Sequence, residues 1–302
     1  MSGFTKSPWI IHYDASSCNG CDIEVLACLT PIFDVERLGV VNTGNPKHAD
    51  IFLVTGAVNE QSKAVIRNIY HQLPEPKVVV AVGICAASGG IFAECYNISG
   101  GVDSVIPVDV YVPGCAARPE AIIDGVVQAL GVLEKKQKEM TAIANSLDQA
   151  QYQRAEKKDA PEILALQKTV YQSEAEIYGD TSLPALQQTL EELQQDFDRP
   201  QQVFLKTVVN GKIIGSVRGH AAGDTACFSQ VIVHPYFRSR GIGRQMLREI
   251  EKEFPQVKRF EAFAGHKSER NLRQFQALGY QQFKTEPFTP AITWVYLQKE
   301  RQ

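Results

Sequence analysis

Residues 77–90, KVVVAVGICAASGG, carry the main evidence on the fold of the first half of the chain. The run KVVVAV is almost continuously apolar and β-branched, which indicates a strand covered on both faces. WIIHY (9–13), DIFLVT (50–55) and VDVYV (108–112) predict three more strands, and helical stretches such as QSKAVIRNIYHQL and PEAIIDGVVQAL lie between or after them. The pattern predicts a doubly wound parallel sheet of the α/β class.

Cysteines follow three of these four strands. Cys18 and Cys21 come after the first strand, Cys85 after the third and Cys115 after the fourth. Ligands of open α/β sheets bind beyond the carboxyl ends of the strands. We therefore expect four thiols to converge on one edge of one sheet.

Four thiolates around one point suit Zn²⁺ or an iron–sulfur cluster. One Cys-x-x-Cys pair is joined here by two single cysteines in the glycine-rich loops GICAASGG and VPGCAARPE, whose small residues leave room for a bulky group. The arrangement favours a 4Fe-4S cluster over zinc, and over a thioredoxin-type dithiol, which needs no remote partners. Cys28, Cys95 and Cys227 are predicted to be small buried hydrophobic residues.

Composition excludes several classes of function. The 302 residues suffice for two domains, and seven cysteines with no charged and apolar leader at MSGFTKSPW argue against a secreted disulfide framework. We expect reduced thiols and a cytoplasmic location. No run of about 18 apolar residues predicts a spanning helix. A net charge of −3 and a pI near 6.1 give no indication of nucleic-acid binding.

The two halves differ in chemistry. Six of the seven cysteines precede Met140, where 10 basic residues stand against 15 acidic ones, whereas the remainder carries 21 against 19. Residues 134–151 are polar, weakly amphipathic and free of Gly and Pro, which indicates a helical or partly ordered linker, or a helix packed on the first domain. We predict domains at residues 1–136 and 152–302, with a linker at residues 137–151.

The second half contains ACFSQVIVHPYFRSRGIGRQMLREIEKEFP (226–255). CFSQVIV predicts a strand, and Arg238-x-x-Gly241-x-Gly243 opens an amphipathic helix that stops at Pro255. Backbone N–H groups at such a glycine-rich helix start can surround a phosphate, and the helix dipole favours the negative charge. The residues after it predict a further strand and a helix from Asn271 to Leu278.

Residues 7–133 resemble the electron-transfer small subunit of energy-converting, membrane-bound NiFe hydrogenases, relatives of the 20-kDa cluster subunit of respiratory complex I. The likeness lies in Cys18-x-x-Cys21, NPKHADIFLVTGAVNEQ, LPEPKVVVAVG, GICAASGG and VDVYVPGCAARPEAIIDGV. Complex I subunits of this type carry adjacent cysteines at the first position, so the hydrogenase branch is the closer match. The resemblance implies a flavodoxin-like domain with one 4Fe-4S cluster on Cys18, Cys21, Cys85 and Cys115.

From about Gln153 to Lys299 the chain resembles the GNAT acetyltransferases, which are α+β domains with a mixed sheet. The resemblance implies that acetyl-CoA binds with its pyrophosphate on the loop and its far arm at Asn271. The implied loop residues are Arg238, Arg240, Gly241, Ile242, Gly243 and Arg244. Many members carry a Tyr four residues after the Asn as proton donor, where this chain has Phe275. Tyr280 or solvent is the expected substitute, and Glu261, His266 and Glu269 are candidate bases.

Together the resemblances predict an electron-transfer hydrogenase subunit fused to an N-acetyltransferase. The implied partners are a NiFe large subunit, other subunits of the hydrogenase complex, ferredoxin and an amine acceptor. We expect a peripheral position on the inner face of the cell membrane, reached through partner subunits alone. Two alternatives remain open: a quinone-linked subunit of complex I type, and a regulator that senses redox state and acetyl-CoA without turnover.

Overall fold

The computed structural model describes residues 7–16, 18–180 and 183–301, and for residue 176 the backbone alone. The chain divides into two compact units, Met1–Thr141 and Ala142–Gln302. The predicted linker, residues 137–151, contains the end of helix α4 (Pro119–Asn145) and a 3-10 turn at Leu147–Gln149. The first six residues of the predicted first domain lie outside the described part of the chain.

The first unit contains a five-stranded parallel sheet with the order β2-β1-β3-β5-β7. Its strands are β1 (Trp9–Asp14), β2 (Val41–Asn42), β3 (Ile51–Thr55), β5 (Val78–Val82) and β7 (Val110–Val112). Two short strands, β4 (Val58–Asn59) and β6 (Ile98–Gly100), form a separate antiparallel pair. When the strands of the large sheet are counted alone, the order is the 2-1-3-4-5 of flavodoxin-like folds. The prediction of a doubly wound α/β sheet is confirmed.

Alternate strand residues build one hydrophobic core on each face of this sheet. Ile51 and Leu53 of β3 pack with apolar residues of α1 (Gly20–Cys28) and α4, whereas Phe52 and Val54 pack with Ile66 of α2 (Glu60–Gln72). Every residue of β3 and β5 is buried. Helix α3 (Gly83–Ser88) follows β5 directly and belongs to the edge where the cysteines lie.

The second unit contains a seven-stranded sheet with the order β13-β14-β12-β11-β10-β9-β8. Its strands are β8 (Gln151–Arg154), β9 (Gln202–Val209), β10 (Lys212–Ala222), β11 (Thr225–Val233), β12 (Arg259–Gly265), β13 (Gln281–Thr289) and β14 (Ile292–Glu300). The β11–β12 pair is parallel and the other pairs are antiparallel. The predicted mixed sheet is confirmed.

The helices of this unit are α5 (Ala160–Tyr178), α6 (Pro184–Gln187), α7 (Leu190–Phe197), α8 (Ile242–Lys252) and α9 (Glu269–Gln276). Helix α8 buries Met246, Leu247 and Ile250 in one core that also contains Phe275 of α9, whereas α5 and α7 contribute to a different core. Helix α9 begins two residues before the predicted start at Asn271. Among the described residues, no helix combines the length and apolar character needed to cross a membrane.

The parallel strands β11 and β12 separate along their length. Pairing runs from Thr225 with Arg259 to Phe228 with Ala262 and stops there, although β11 continues to Val233 and β12 to Gly265. Beyond that point β11 stays paired with β10 and β12 with β14. The sheet therefore opens between β11 and β12 at their carboxyl ends.

Candidate functional sites: a four-cysteine edge and an open-strand cleft

Four cysteines lie at the carboxyl ends of three parallel strands. Cys18 and Cys21 follow β1, with Cys21 in the first turn of α1, whereas Cys85 lies in α3 after β5 and Cys115 follows β7. Burial raises the pKa of the Cys21 and Cys85 thiols, and the neighbouring cysteines raise it further because thiolates repel one another. The structure thus brings the four predicted ligands together.

Glycines pack directly against these sulfur atoms. Gly83 has a φ of +84°, and a Cβ atom there would overlap the Sγ of Cys21. A Cβ on Gly90 would lie 3.0 Å from the Sγ of Cys85. The backbone N–H of Ala117 donates to the Sγ of Cys21 at 3.5 Å. Only glycine leaves this space beside the sulfur atoms, and the Ala117 N–H points at one of them. Both features fit an iron–sulfur cluster held by thiolates.

A single zinc ion and a 4Fe-4S cluster require different spacings of their donor atoms. Among the described residues, no three Cys, His, Asp or Glu side chains lie close enough together to hold one metal ion. A zinc site needs four donors about 2.0–2.3 Å from one centre, whereas each thiolate of a 4Fe-4S cube binds a different iron atom and can lie farther from the others. Cys18 and Cys21 lie at the start of a helix that follows a strand, as the cysteines of thioredoxin-type dithiols do. The two remote thiols, Cys85 and Cys115, are what distinguish this site from such a dithiol.

The remaining cysteines differ from one another. Cys28 is buried, and its thiol donates to the carbonyl of Glu24 at 3.2 Å. Burial, followed by the charge of Glu24, raises the pKa of Cys28 to about 11, so the prediction of a buried hydrophobic residue is confirmed. The same prediction is wrong for Cys95, which is exposed in the turns after α3. Cys227 of β11 is half-buried.

An open cleft of about 390 Å³, named the open-strand cleft, occupies the gap between β11 and β12. Its walls come from α5, from the last residues of the two strands and from the start of α9. The carboxylate of Glu174 accepts hydrogen bonds from the Ser268 hydroxyl and, at 3.4 Å, from the Asn271 side chain. The N–H of Lys267 donates to the Tyr178 hydroxyl at 2.7 Å. Polar groups of α5 therefore organise the backbone at the start of α9.

A second cleft, of about 400 Å³, lies beside the start of α8. Gly241 precedes the helix with a φ of 82° and no side-chain cap, so the first helical N–H groups are available to an anion. Arg238 and Arg244, two of the residues predicted for the phosphate-binding loop, line this cleft together with Arg270 and Arg273, which the sequence analysis missed. Both lie in α9, three residues apart, and this spacing is a signal that could have indicated them if the helix had been predicted to begin before Arg270.

Other loop residues have different positions. Gly243 and Ile242 line the cleft, but the Ile242 side chain is buried in the core, so its backbone is the part available to a ligand. Arg240 is absent from the lining residues, and its guanidinium lies 5.9 Å from the centre of the Tyr236 ring. Burial, followed by the charge of Arg270, lowers the pKa of Arg238, yet a guanidinium remains charged at neutral pH.

Neither Glu261 nor Tyr280 lines the open-strand cleft. Tyr280 is 2% exposed, and its hydroxyl donates to the Oε1 of Glu251 at 2.8 Å. Burial, followed by the charge of Glu251, raises the pKa of Tyr280, so its proton is held away from the cleft. Glu261 forms an ion pair with Arg259 at 2.7 Å. The structure does not bring these two predicted catalytic residues to the site.

The other candidate bases are also engaged. Glu269 lines the cleft but pairs with Arg273 at 2.7 Å. His266 accepts a hydrogen bond from the backbone of Thr293 through its Nδ1 at 3.1 Å. Phe275 lines the cleft and is 4% exposed, so the position of the expected proton donor presents only a hydrocarbon ring.

Comparison with known proteins gives each unit a family. Residues 18–129 match the family described as NADH ubiquinone oxidoreductase, 20 Kd subunit, and residues 167–280 match the acetyltransferase (GNAT) family. A probable membrane-bound hydrogenase subunit of Pyrococcus furiosus is 52% identical over 130 residues, which are 43% of this chain and 78% of that protein. Formate hydrogenlyase subunit 7 of Escherichia coli is 44% identical over 131 residues, 43% of this chain and 51% of that protein.

Among solved structures, an acetyltransferase from Thermus thermophilus covers 50% of this chain and 97% of its own length, with 19% identity and a TM-score of 0.42. The family assignments rest on the sequence matches. The two matched segments do not overlap, and each falls within one compact unit. The chain therefore belongs to the 20 Kd subunit family of NADH ubiquinone oxidoreductases and their hydrogenase relatives through its first unit, and its second unit is a GNAT acetyltransferase domain.

Proposed function

We propose that this chain is the electron-transfer subunit of a membrane-associated NiFe hydrogenase of the energy-converting type, and that its second unit transfers an acetyl group from acetyl-CoA to an amine. The observation that carries the first part is the convergence of four thiols on one sheet edge where glycines leave space beside the sulfurs. The names of the relatives support the hydrogenase assignment.

Cys18, Cys21, Cys85 and Cys115 would hold one 4Fe-4S cluster. When bound, such a cluster supplies one-electron transfer. Thiols at three strand ends would orient it, and the Ala117 N–H would stabilise negative charge on Cys21. Cys18 and Cys115 are exposed, which leaves the edge open to a partner that gives or takes electrons.

Apolar side chains beside the cysteines support a docking surface at this edge. Ile23 and Leu26 of α1 are 62% and 51% exposed, and Ile84, next to Cys85, is 41% exposed. Exposed apolar groups on the same elements as the thiols suit burial against another subunit. The proposed occupant is the NiFe large subunit, with ferredoxin as the soluble carrier and with membrane attachment on the cytoplasmic side through partner subunits. A quinone-linked complex would differ in the partner alone.

In the second unit, the start of α8 and the arginines beside it would bind the phosphates of acetyl-CoA. The gap between β11 and β12 then leads from that cleft to the face covered by α5, where an amine can meet the thioester. Arg238 lines both clefts and donates a hydrogen bond to the Ser173 hydroxyl of α5 at 3.2 Å. Its side chain therefore lies where the two clefts meet. Unpaired backbone groups of the separated strands can hydrogen-bond the arm of the cofactor.

Anaerobic purification of the full chain tests the first part. We expect about four iron and four sulfide per chain, and hydrogen turnover only after a large subunit is added. Stoichiometric zinc without iron in freshly isolated protein would falsify the cluster assignment. Hydrogen turnover by the isolated chain would contradict its role as an electron-transfer subunit.

Calorimetry of the full chain with acetyl-CoA tests the second part. Binding is expected, and it should weaken with salt because arginine–phosphate contacts carry it. No heat of binding at millimolar acetyl-CoA would contradict both the acetyltransferase and the acetyl-CoA sensor. Binding without transfer to any amine in a broad panel would instead favour the sensor.

A further inference from the structure

The open-strand cleft lacks a proton donor at the position where many GNAT enzymes have one. Phe275 presents a ring without a hydroxyl, and the Tyr280 hydroxyl is bound to Glu251 outside the cleft. Acetyl transfer leaves a thiolate on CoA, and a positioned acid that protonates it speeds the reaction. The question, which rests on the proposed acetyl transfer, is whether another group in the cleft can supply this proton.

Tyr178, the last residue of α5, lines the cleft where β12 ends. Its ring is buried, and a Cβ on Gly265 would overlap its hydroxyl, so the end of β12 accommodates the phenol because residue 265 is glycine. The Lys267 N–H donates to the phenol oxygen at 2.7 Å. The hydroxyl is therefore held in one place, at the carboxyl end of the separated strand.

The hydrogen bonds around Tyr178 leave its own proton available. Its oxygen already accepts from Lys267, so the O–H must point to a different acceptor. The nearby Ser268 Oγ is 3.5 Å away, longer than the roughly 2.7–2.8 Å of a strong O–H···O bond. Ser268 in turn donates its proton to Glu174. A ligand atom in the cleft can therefore compete for the Tyr178 proton.

The surroundings also suit the charge that remains after the proton leaves. The Lys267 amide aims its N–H dipole at the phenol oxygen, and the Lys267 ammonium lies 5.6 Å from the centre of the Tyr178 ring. Donors placed in advance around a developing negative charge stabilise it without reorganisation.

We propose that Tyr178 donates a hydrogen bond to the sulfur of CoA and protonates it during acetyl transfer. The amine nitrogen forms a bond to the thioester carbon, the carbon–sulfur bond breaks with its electron pair on sulfur, and the Tyr178 proton moves to that sulfur. The proton that the amine loses then restores the phenol. The net change is an amide and a neutral thiol, and no further reactant is needed.

The pKa of the thiol of bound CoA tests this role without knowledge of the acceptor. The full-length chain is saturated with CoA, and thiolate formation is followed by ultraviolet difference absorbance, with the desulfo-CoA complex as baseline to cancel the cysteines of the protein. A hydrogen bond to a charged group is worth about 1.5–3 kcal/mol, so the bound thiol should have a pKa about one to two units lower in wild type than in Tyr178→Phe.

Tyr152→Phe, in β8 away from the cleft, is the matched control and should keep the wild-type value. Calorimetry on each variant should show unchanged CoA affinity below the pKa of the thiol, which also reports folding. The same thiol pKa in wild type and Tyr178→Phe would overturn the proposal, as would a wild-type value equal to that of free CoA. A wild-type chain that binds no CoA would instead contradict the proposed acetyl transfer itself.

Discussion

The cysteine edge and the start of α8 both lie where strands end, yet they prepare for a ligand in different ways. At the cysteine edge, four side chains of one type come from three strands, and glycine leaves the space beside them. At α8, the groups proposed to bind a ligand are backbone N–H groups and several arginines around an open cleft. The proposed functions would make the first site depend on the identity of each thiol, whereas the second would divide its affinity among many contacts.

This difference predicts an all-or-none response at the cysteine edge. Cys21→Ser should reduce the iron and sulfide content of anaerobically purified protein from about four each to nearly none, because three thiolates cannot complete the cluster. Iron and sulfide assays measure the effect. Cys95→Ser, at an exposed thiol, is the matched control and should keep the full content. Full iron content in Cys21→Ser would remove Cys21 from the ligand set.

A glycine beside the cysteines should matter nearly as much as a ligand. Gly83→Ala places a methyl group against the Cys21 Sγ at a φ of +84°, which an L side chain rarely adopts. We expect loss of most of the iron. Gly44→Ala is the control, since nothing lies within 4 Å of an added Cβ there. Equal iron content in the two variants would show that the thiols tolerate a Cβ at residue 83.

The cleft beside the start of α8 should respond to substitutions in graded steps. Arg244→Ala should weaken acetyl-CoA binding by about 10- to 150-fold, which corresponds to a charge-assisted hydrogen bond of about 1.5–3 kcal/mol. Arg240→Ala should have a smaller effect because Arg240 is not among the residues that line the cleft. Calorimetry at two salt concentrations measures both. A larger loss in Arg240→Ala than in Arg244→Ala would reverse the assignment of the phosphate-binding side chains.

The smallest effect concerns a cysteine outside the ligand set. Burial raises the pKa of Cys28 to about 11, so the thiol stays protonated below that pH and only a small fraction is the reactive thiolate at pH 8. Brief alkylation of the native chain, read by mass spectrometry, should modify the exposed Cys95 and leave Cys28 nearly unmodified. Alkylation of Cys28 should rise as the pH approaches 11. Fast modification of Cys28 at pH 8 would contradict its burial.

The long apolar strands were predictable, and three of the short ones were not. The runs at 50–55 and 77–82 predicted β3 and β5 to within one residue, because strands buried on both faces must be apolar at every position. Strands β2, β4 and β6 have two or three residues each, and no pattern that short separates a strand from a loop. They exist because a neighbouring backbone pairs with them.

The cysteine edge was predictable because strand order along the chain places consecutive carboxyl ends on one side of a parallel sheet. The close packing of Gly83 against the Cys21 sulfur was not, since the two residues are far apart in sequence. The exposure of Cys95 was also missed, because a cysteine in a loop has no periodic neighbours from which burial can be predicted.

Tyr178 and Tyr280 of the second unit show the same division between what sequence predicts and what tertiary structure decides. Sequence alone determined that this half has a glycine-rich helix start and no hydroxyl at residue 275, because both follow from residue types at local spacings. It placed Tyr280 near the chemistry, yet packing directs that hydroxyl to Glu251, and Tyr178, about 100 residues earlier, reaches the cleft instead. Tertiary structure decided this because the direction of a side chain depends on what surrounds it, and those neighbours come from distant parts of the chain.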